Sequence, residues 1–140
     1  ATAILAPLDA GRFKWSPNLP EAVYIIGYTI YVLSIALFTW GMHVNKWFSS
    51  VVRIQKDRGQ KVVDKGPYKY VRHPGYTGGI LMVLTAAIIL GSLWALIPAG
   101  ISAVSLIIRT HLEDKTLKKE LEGYKEYAEK VKFRLIPGIW

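Results

Sequence analysis

From Gly78 to Ile108 the chain runs without a single charged side chain. As one helix that stretch would be about 45 Å long at about 1.5 Å per residue, too long for a single crossing of a hydrocarbon core about 30 Å thick. Gly91, Ser92 and Pro98 punctuate it, so it is expected to fold back near Gly91 and Ser92 with one helical arm on each side, the first of them short for a full span. A second apolar block, Ala22 to Met42, is interrupted only by Thr29, Ser34 and Thr39 and suffices for one crossing. Tyr24, Tyr28 and Tyr31 lie toward its start, and Trp40, Trp47 and Phe48 mark its end, where interfacial aromatics belong. With 51% hydrophobic residues gathered into blocks and a positive mean hydropathy, the chain reads as a membrane protein. A soluble domain would scatter its apolar residues among polar ones, and a disordered chain would lack them.

Charge assigns the sides. Between His43 and Tyr76 stand Lys46, Arg53, Lys56, Arg58, Lys61, Lys65, Lys69 and Arg72 against only Asp57 and Asp64, which marks a cytosolic loop. The tail from Arg109 to Arg134 is also rich in Lys and Arg, and an even number of crossings must separate it from that loop. The expectation is an all-α polytopic protein of one domain, 1–140, with spans at about 22–42, 76–91 and 93–110. The N-terminus would lie outside, and the loop 43–75 and tail 111–140 would be cytosolic. The formal charge of +8 suits nucleic acid in principle, but the basic residues flank apolar spans, where anionic headgroups and topology account for them. Nucleic-acid binding is therefore not expected. Cys is absent, which removes disulfides, thiolate metal sites and a cysteine nucleophile. The chain opens on Ala1, and the stretch to Pro20 lacks the pattern of a signal peptide, so a trimmed N-terminus is expected.

Beyond Arg109, the residues Leu112, Leu117, Leu121 and Tyr124 recur at roughly helical spacing among charges, so the last helix should continue into water. Pro137 and Gly138 then break any helix. Phe133, Leu135, Ile136, Ile139 and Trp140 are too apolar for a free tail and are expected to pack back onto the membrane surface.

Two clusters carry polar chemistry. In the run from Gly66 to Gly78, Pro74 suits the first position of a helix, which places His73 at the N-cap and makes that helix start a favourable place for an anion. Arg72 stands beside it and is expected to pair with the same anion or with a lipid phosphate. His73 has no second histidine at metal-ligand spacing, so a zinc site is not expected. In the second cluster Arg109 and Glu113 are four apart and share a helix face. A helical hairpin returns the start of its first arm and the end of its second to one side. Arg72 to Tyr76 and Arg109 to Glu113 should therefore meet.

Taken together, Gly66-Pro67-Tyr68, Arg72-His73-Pro74-Gly75-Tyr76-Thr77-Gly78, the apolar hairpin, Arg109 with Glu113-Asp114 and the aromatic end resemble the isoprenylcysteine carboxyl methyltransferase and phospholipid methyltransferase family, in a short prokaryotic-type form. The resemblance covers roughly Phe48 to Trp140. It implies S-adenosyl-L-methionine as cofactor, contacted by Tyr68, His73, Pro74, Gly75, Tyr76 and Glu113. It further implies backbone contacts from the stretch Gln60-Lys61-Val62-Val63, and a lipidated or lipid-like acceptor arriving from the bilayer and addressed by Arg109. The cofactor's carboxylate suits the helix start at His73 and Pro74, and its ammonium suits Glu113. Tyr68 and Tyr76 are candidates to face the sulfonium. Asp114 stands where the family has a second glutamate, and Leu121-Glu122-Gly123-Tyr124 is one residue shorter than the eukaryotic pattern.

The acceptor decides how much chemistry the protein must do. A prenylcysteine carboxylate, with a reference pKa of about 3.5, is ionised at neutral pH and needs only a cation to hold it. A phospholipid amine must first lose a proton, which would give His73 or Glu113 the role of a base. Carboxylate methylation is the leading expectation and the amine its alternative. The rival classes are an NADPH-dependent sterol-type reductase, whose family also carries an Arg-His-Pro string, and a non-catalytic membrane protein.

Overall fold

A computed structural model describes residues 1–48 and 59–140, and among them every regular element is helical. Arg53, Lys56, Asp57 and Arg58 of the basic loop lie outside the described residues. Helix α1 (Thr2–Ala6) runs on into a π-helical turn, Pro7–Phe13. Helix α2 is Glu21–Val44, a 3₁₀ turn covers Gly66–Lys69, α3 is Pro74–Ile89, α4 is Leu96–Glu120, and α5 is Tyr124–Lys130.

The boundaries follow from local chemistry. Pro74 opens α3 because its ring fixes φ and its missing N–H has no partner to lose in a first turn. Gly91 adopts φ 69° just beyond α3, a conformation that costs a side-chain-bearing residue energy, and the chain reverses there. Residues 90–95 are consumed by that reversal, so α4 begins at Leu96 and not at 93, with Pro98 tolerated in its first turn. At its other end α4 runs past 110 to Glu120, carried by the helix formers Leu, Lys and Glu. With 16 residues α3 is about 24 Å long, shorter than the bilayer core, whereas α2 (24 residues) and α4 (25 residues) are long enough to cross it.

The long helices turn their apolar residues outward. On α4 the side chains of Ile97, Ile101, Val104, Ile108 and Leu112 are all exposed, at steps of three and four that place them on one face. In a water-soluble helix that stripe would be buried. Leu112 thus belongs to the outward stripe, while Leu117, Leu121 and Tyr124 face inward. Four hydroxyls on the helices are satisfied locally. Thr29 donates to the Ile25 carbonyl at 2.8 Å, Ser34 to Ile30 at 2.6 Å, Thr85 to Leu81 at 2.7 Å and Ser105 to Ile101 at 2.9 Å. Each of these polar groups is therefore compatible with a hydrocarbon surround. The chain is an all-α integral membrane protein.

Two compact units divide the fold: residues 1–36 with 78–106, and residues 37–77 with 107–140. The first has a core of small residues, Ala6, Ala87, Ala95 and Ala99, with Leu84 and Leu96 packed on it. Small side chains let helices approach closely, the mode of packing available when lipid removes the hydrophobic incentive. Asp9, fully buried, closes this unit. Its carboxylate accepts the Ser16 backbone N–H at 2.7 Å and hydroxyls of Ser16 at 2.6 Å and Ser92 at 2.5 Å. Ser16 Oγ in turn accepts the Leu93 N–H at 2.8 Å, and Ser92 Oγ accepts the Ala95 N–H at 3.0 Å, so the hairpin turn is stitched to the N-terminal segment. Phe13 stacks on Trp15 at 4.8 Å, and Trp15 meets Trp94 edge-on.

In the second unit a Cβ on Gly41 would lie 3.1 Å from the Gly75 backbone nitrogen, so α2 and α3 meet there backbone to backbone. The closing segment packs against protein and not only toward lipid: Leu135 is buried, Arg72 and His73 donate their backbone N–H groups to the carbonyls of Phe133 and Arg134, and Thr77 Oγ1 donates to the Leu135 carbonyl at 2.8 Å.

Replacing Asp9 by Ala strands three donors at a buried site, each worth about 1–3 kcal/mol when left unmade. Thermal unfolding of the detergent-solubilised variant is expected well below that of the unaltered protein. A melting temperature within a degree or two of the original would show that the carboxylate is dispensable.

Candidate functional site

The polar chemistry gathers in the second unit. A buried carboxylate, Asp114, is 1% exposed and sits among cations. Arg72 reaches it twice, Nε to Oδ1 at 2.7 Å and Nη2 to Oδ2 at 3.1 Å, a bidentate pairing that fixes both planes. Arg134 Nε donates to Oδ2 at 3.0 Å, Lys118 Nζ stands 3.2 Å from Oδ2, and the Tyr124 hydroxyl donates to Oδ1 at 3.1 Å. His73 Nε2 lies 3.5 Å from Oδ1 and 3.4 Å from the Tyr124 oxygen. The second arm of Arg72 is spent on the chain end: Nη1 donates to the carbonyls of Val131 at 2.7 Å and Lys132 at 2.8 Å. Arg72 is therefore an internal fastener, and the expectation that it pairs with an outside anion or lipid phosphate is corrected. Every N–H direction seen for it is directed inward, because a buried guanidinium must use its donors.

Electrostatics follow from this packing. Burial would raise the Asp114 carboxyl, but hydrogen bonds from His73, Arg72 and Arg134 outweigh it and hold it well below the usual carboxylate range. Burial works against the Arg72 charge, and Asp114 more than restores it. The phenols stay protonated and act as donors. Burial pushes Tyr68 up to about 12, against the opposing hydrogen bond from Asn45. Burial, then the Asp114 charge, raises Tyr124, and burial, then Tyr68, raises Tyr127.

Beside this joint lies a cavity lined by Tyr68, His73, Gly75, Tyr76 and Glu113, together with Val62 and Val63, which lie outside the helices, and with Leu117 and Leu121. Its free volume is about 50 Å³. The Tyr68 hydroxyl is held between Asn45 Nδ2 at 3.2 Å and the Gly41 carbonyl at 3.3 Å, and the Tyr127 hydroxyl donates to the Tyr68 carbonyl at 2.7 Å. Gly75 leaves room for Phe48, whose ring a Cβ there would meet at 2.7 Å. Phe48 and His73 both pack on the Tyr76 ring, at 6.2 and 5.9 Å between centroids. The Tyr76 hydroxyl donates to Glu113 Oε2 at 2.6 Å and accepts from Arg109 Nε at 2.7 Å, so a phenol stands between a guanidinium and a carboxylate.

Of the residues singled out in the sequence, Tyr68, His73, Gly75, Tyr76, Glu113, Val62 and Val63 share this cavity. Pro74 is buried at the start of α3 and Arg109 stands behind the Tyr76 hydroxyl. The two clusters meet, as hairpin closure requires. Asn45 and Tyr127 also line the cavity but carried no motif, and Trp47, Phe48 and Tyr124 line it although the sequence marked them only as span-end aromatics and as part of the pattern beyond Arg109. Tyr124 and Tyr127 share one face of a seven-residue helix, too short to show a period.

Residues 22–123 match the family model for phospholipid methyltransferase. No curated protein matches the chain significantly in sequence. Among solved structures, that of a eukaryotic intramembrane Ras methyltransferase, an isoprenylcysteine carboxyl methyltransferase, is similar with a TM-score of 0.77 at 20% identity. The alignment covers 99% of this chain and 51% of that one, so the chain spans about half that protein's length and shares its fold.

Removing one partner from a buried ion cluster leaves charge uncompensated, at a cost of about 3–5 kcal/mol. Asp114→Ala is expected to lose that much stability, and Arg134→Ala less, since its side chain is 24% exposed. Because the folded-state pKa of Asp114 is depressed, its stabilisation is complete above the unfolded value of about 3.9 and is lost as pH falls below it. Denaturation midpoints should therefore decline from about pH 4 downward in the unaltered protein. Asp114→Asn should flatten that decline; an unchanged acid profile in the variant would remove Asp114 from this role.

Proposed function

The chain belongs to the phospholipid methyltransferase family, and from that premise we propose that it transfers a methyl group from S-adenosyl-L-methionine to a carboxylate on a lipid-like acceptor entering from the bilayer. The observation that carries this reading is the line Arg109, Tyr76, Glu113, two hydrogen bonds of 2.7 and 2.6 Å running from a cation to the cavity wall.

The residues around the cavity fit the cofactor's chemistry. Glu113 offers a carboxylate to an ammonium, the α3 start at His73 and Pro74 suits a carboxylate, and Val62, Leu117 and Leu121 offer apolar surface to an adenine ring. Backbone near Val62 and Val63 and the ring of Tyr68 complete the wall. The free volume of about 50 Å³ is less than a nucleoside-sized ligand fills, so binding requires the cavity to widen. When bound, S-adenosyl-L-methionine supplies a methyl group activated by a sulfonium.

The protein's own work is then positional. Arg109 holds the acceptor carboxylate, already ionised at neutral pH, so no base is called for. Tyr76 keeps Arg109 and Glu113 in fixed register, and Phe48 and the tyrosines exclude water from the approach, which is where such a site gains rate. The outward apolar stripes of α2 and α4 leave the acceptor's lipid part in the bilayer. The excess of Lys and Arg in loop 43–75 and tail 111–140, flanking the spans, supports a site on the cytosolic side with the N-terminus outside.

Calorimetric titration of detergent-purified protein is expected to show binding of S-adenosylhomocysteine and none of NADPH. Glu113→Ala should weaken the former by about tenfold or more while the protein stays folded. Arg109→Gln should lower kcat/KM for a prenylcysteine-type acceptor by about a hundredfold yet leave S-adenosylhomocysteine affinity within about threefold. With a carboxylate acceptor kcat should hold level down to about pH 6; a steep fall there, or turnover of a phospholipid amine alone, would replace the carboxylate by the amine. Binding of neither cofactor would overturn the methyltransferase reading itself.

A further inference from the structure

Away from the cavity of His73 and Glu113, the second unit carries a separate open hollow of about 290 Å³ lined by Lys69, Tyr70, Lys130, Lys132, Phe133 and Pro137. No acidic side chain among the described residues lines it. Asp64, Glu122 and Glu126 instead line the neighbouring cavity, which shares Lys69 and Lys130 but not Lys132. All three lysines are exposed, and among the described residues none joins an ion pair.

Their grouping is built in. Arg72 ties down the Val131 and Lys132 carbonyls, its backbone N–H bonds the Phe133 carbonyl at 2.9 Å, and the Tyr127 hydroxyl bonds the Tyr68 carbonyl. These bonds hold the backbone bearing Lys69 and Tyr70 against the backbone bearing Lys130 and Lys132. Three like charges are thereby gathered around one hollow, a repulsion that a bound anion relieves. Exposed apolar side chains accompany it: Tyr70 in the lining is 67% exposed, and Ile136 and Ile139, the chain neighbours of Pro137 and Gly138, are 47% and 76% exposed. Cationic stems beside exposed aromatic and aliphatic groups match the layering of a lipid surface, phosphate at the headgroup level and carbon just beneath.

We infer that this face docks the headgroup of an anionic phospholipid, with Lys69, Lys130 and Lys132 around the phosphate and Tyr70, Ile136 and Ile139 entering the boundary between headgroups and acyl chains. It stands apart from the methyl-transfer reading, since none of these residues lines the cavity of Glu113 and the ligand is bound without being converted.

The chain in nonionic detergent, without S-adenosyl-L-methionine, is titrated calorimetrically with short-chain phosphatidylglycerol, short-chain phosphatidylcholine and inorganic phosphate. Phosphatidylglycerol is expected to bind about tenfold or more tightly than phosphatidylcholine at low ionic strength, and to weaken as salt is raised. The triple variant K69A/K130A/K132A, with thermal unfolding unchanged because the sites are exposed, should lose about tenfold or more of that affinity. The triple arginine variant at the same positions should keep it within about threefold. Equal affinity for the two lipids, or full affinity in the alanine variant, overturns the inference. Inorganic phosphate binding as tightly as phosphatidylglycerol overturns it too, because the face would then be an anion site with no claim on lipid.

Discussion

The carboxylate of Asp114 is the point on which the second unit depends. Alone, an ionised carboxylate at 1% exposure would be prohibitively costly, and so would the buried guanidinium of Arg72; each is tolerable because the other lies 2.7 Å away and further partners take up the rest of its hydrogen-bonding capacity. Their pairing ties α4 to the residues just ahead of α3, and the remaining donors of Arg72 extend the tie to Val131 and Lys132. His73 follows Arg72 and Glu113 precedes Asp114, so the cavity walls are set by residues adjacent to the fastened ones. A shift in the ion cluster would be transmitted directly to both.

Among the described residues each unit buries one aspartate, and the two solve the same problem differently. Asp9 is surrounded by neutral donors, two hydroxyls and an amide, and Asp114 by guanidinium groups, an ammonium and a phenol. Neutral donors need no counter-charge to be desolvated with the anion, so Asp9 serves as a simple stitch. A cluster with several cations carries net positive charge beside the cavity, and it biases what the neighbouring space will accept.

The sequence disclosed whatever rests on local rules. Hydropathy marked the apolar helices, Gly91 the reversal, Pro74 the helix start, and hairpin closure the meeting of Tyr76 with Arg109 and Glu113. One helix limit moved where local rules compete: the turn consumed residues up to 95, while α4 runs on to Glu120 as the spacing beyond Arg109 predicts. Long-range pairs gave no such signal. Arg72 and Asp114 are 42 residues apart, and Asp9 and Ser92 are 83 apart, with no spacing that announces a partner. Arg72 looked free because exposure is the ordinary state of an arginine, and its burial is decided by the tail, whose packing no periodicity specifies.

The fastening of Arg72 by Val131 and Lys132 has a consequence for how the protein is made. Synthesis delivers the chain from its N-terminal side, so the spans can enter the bilayer while the residues that close the ion cluster are still inside the ribosome. Until residues 131–134 emerge, Arg72 and Asp114 lack Arg134 and two carbonyls. The cavity residues next to them are then held by fewer bonds. Membrane insertion and assembly of the site are therefore separate events in time, the second waiting on the last part of the site to be translated.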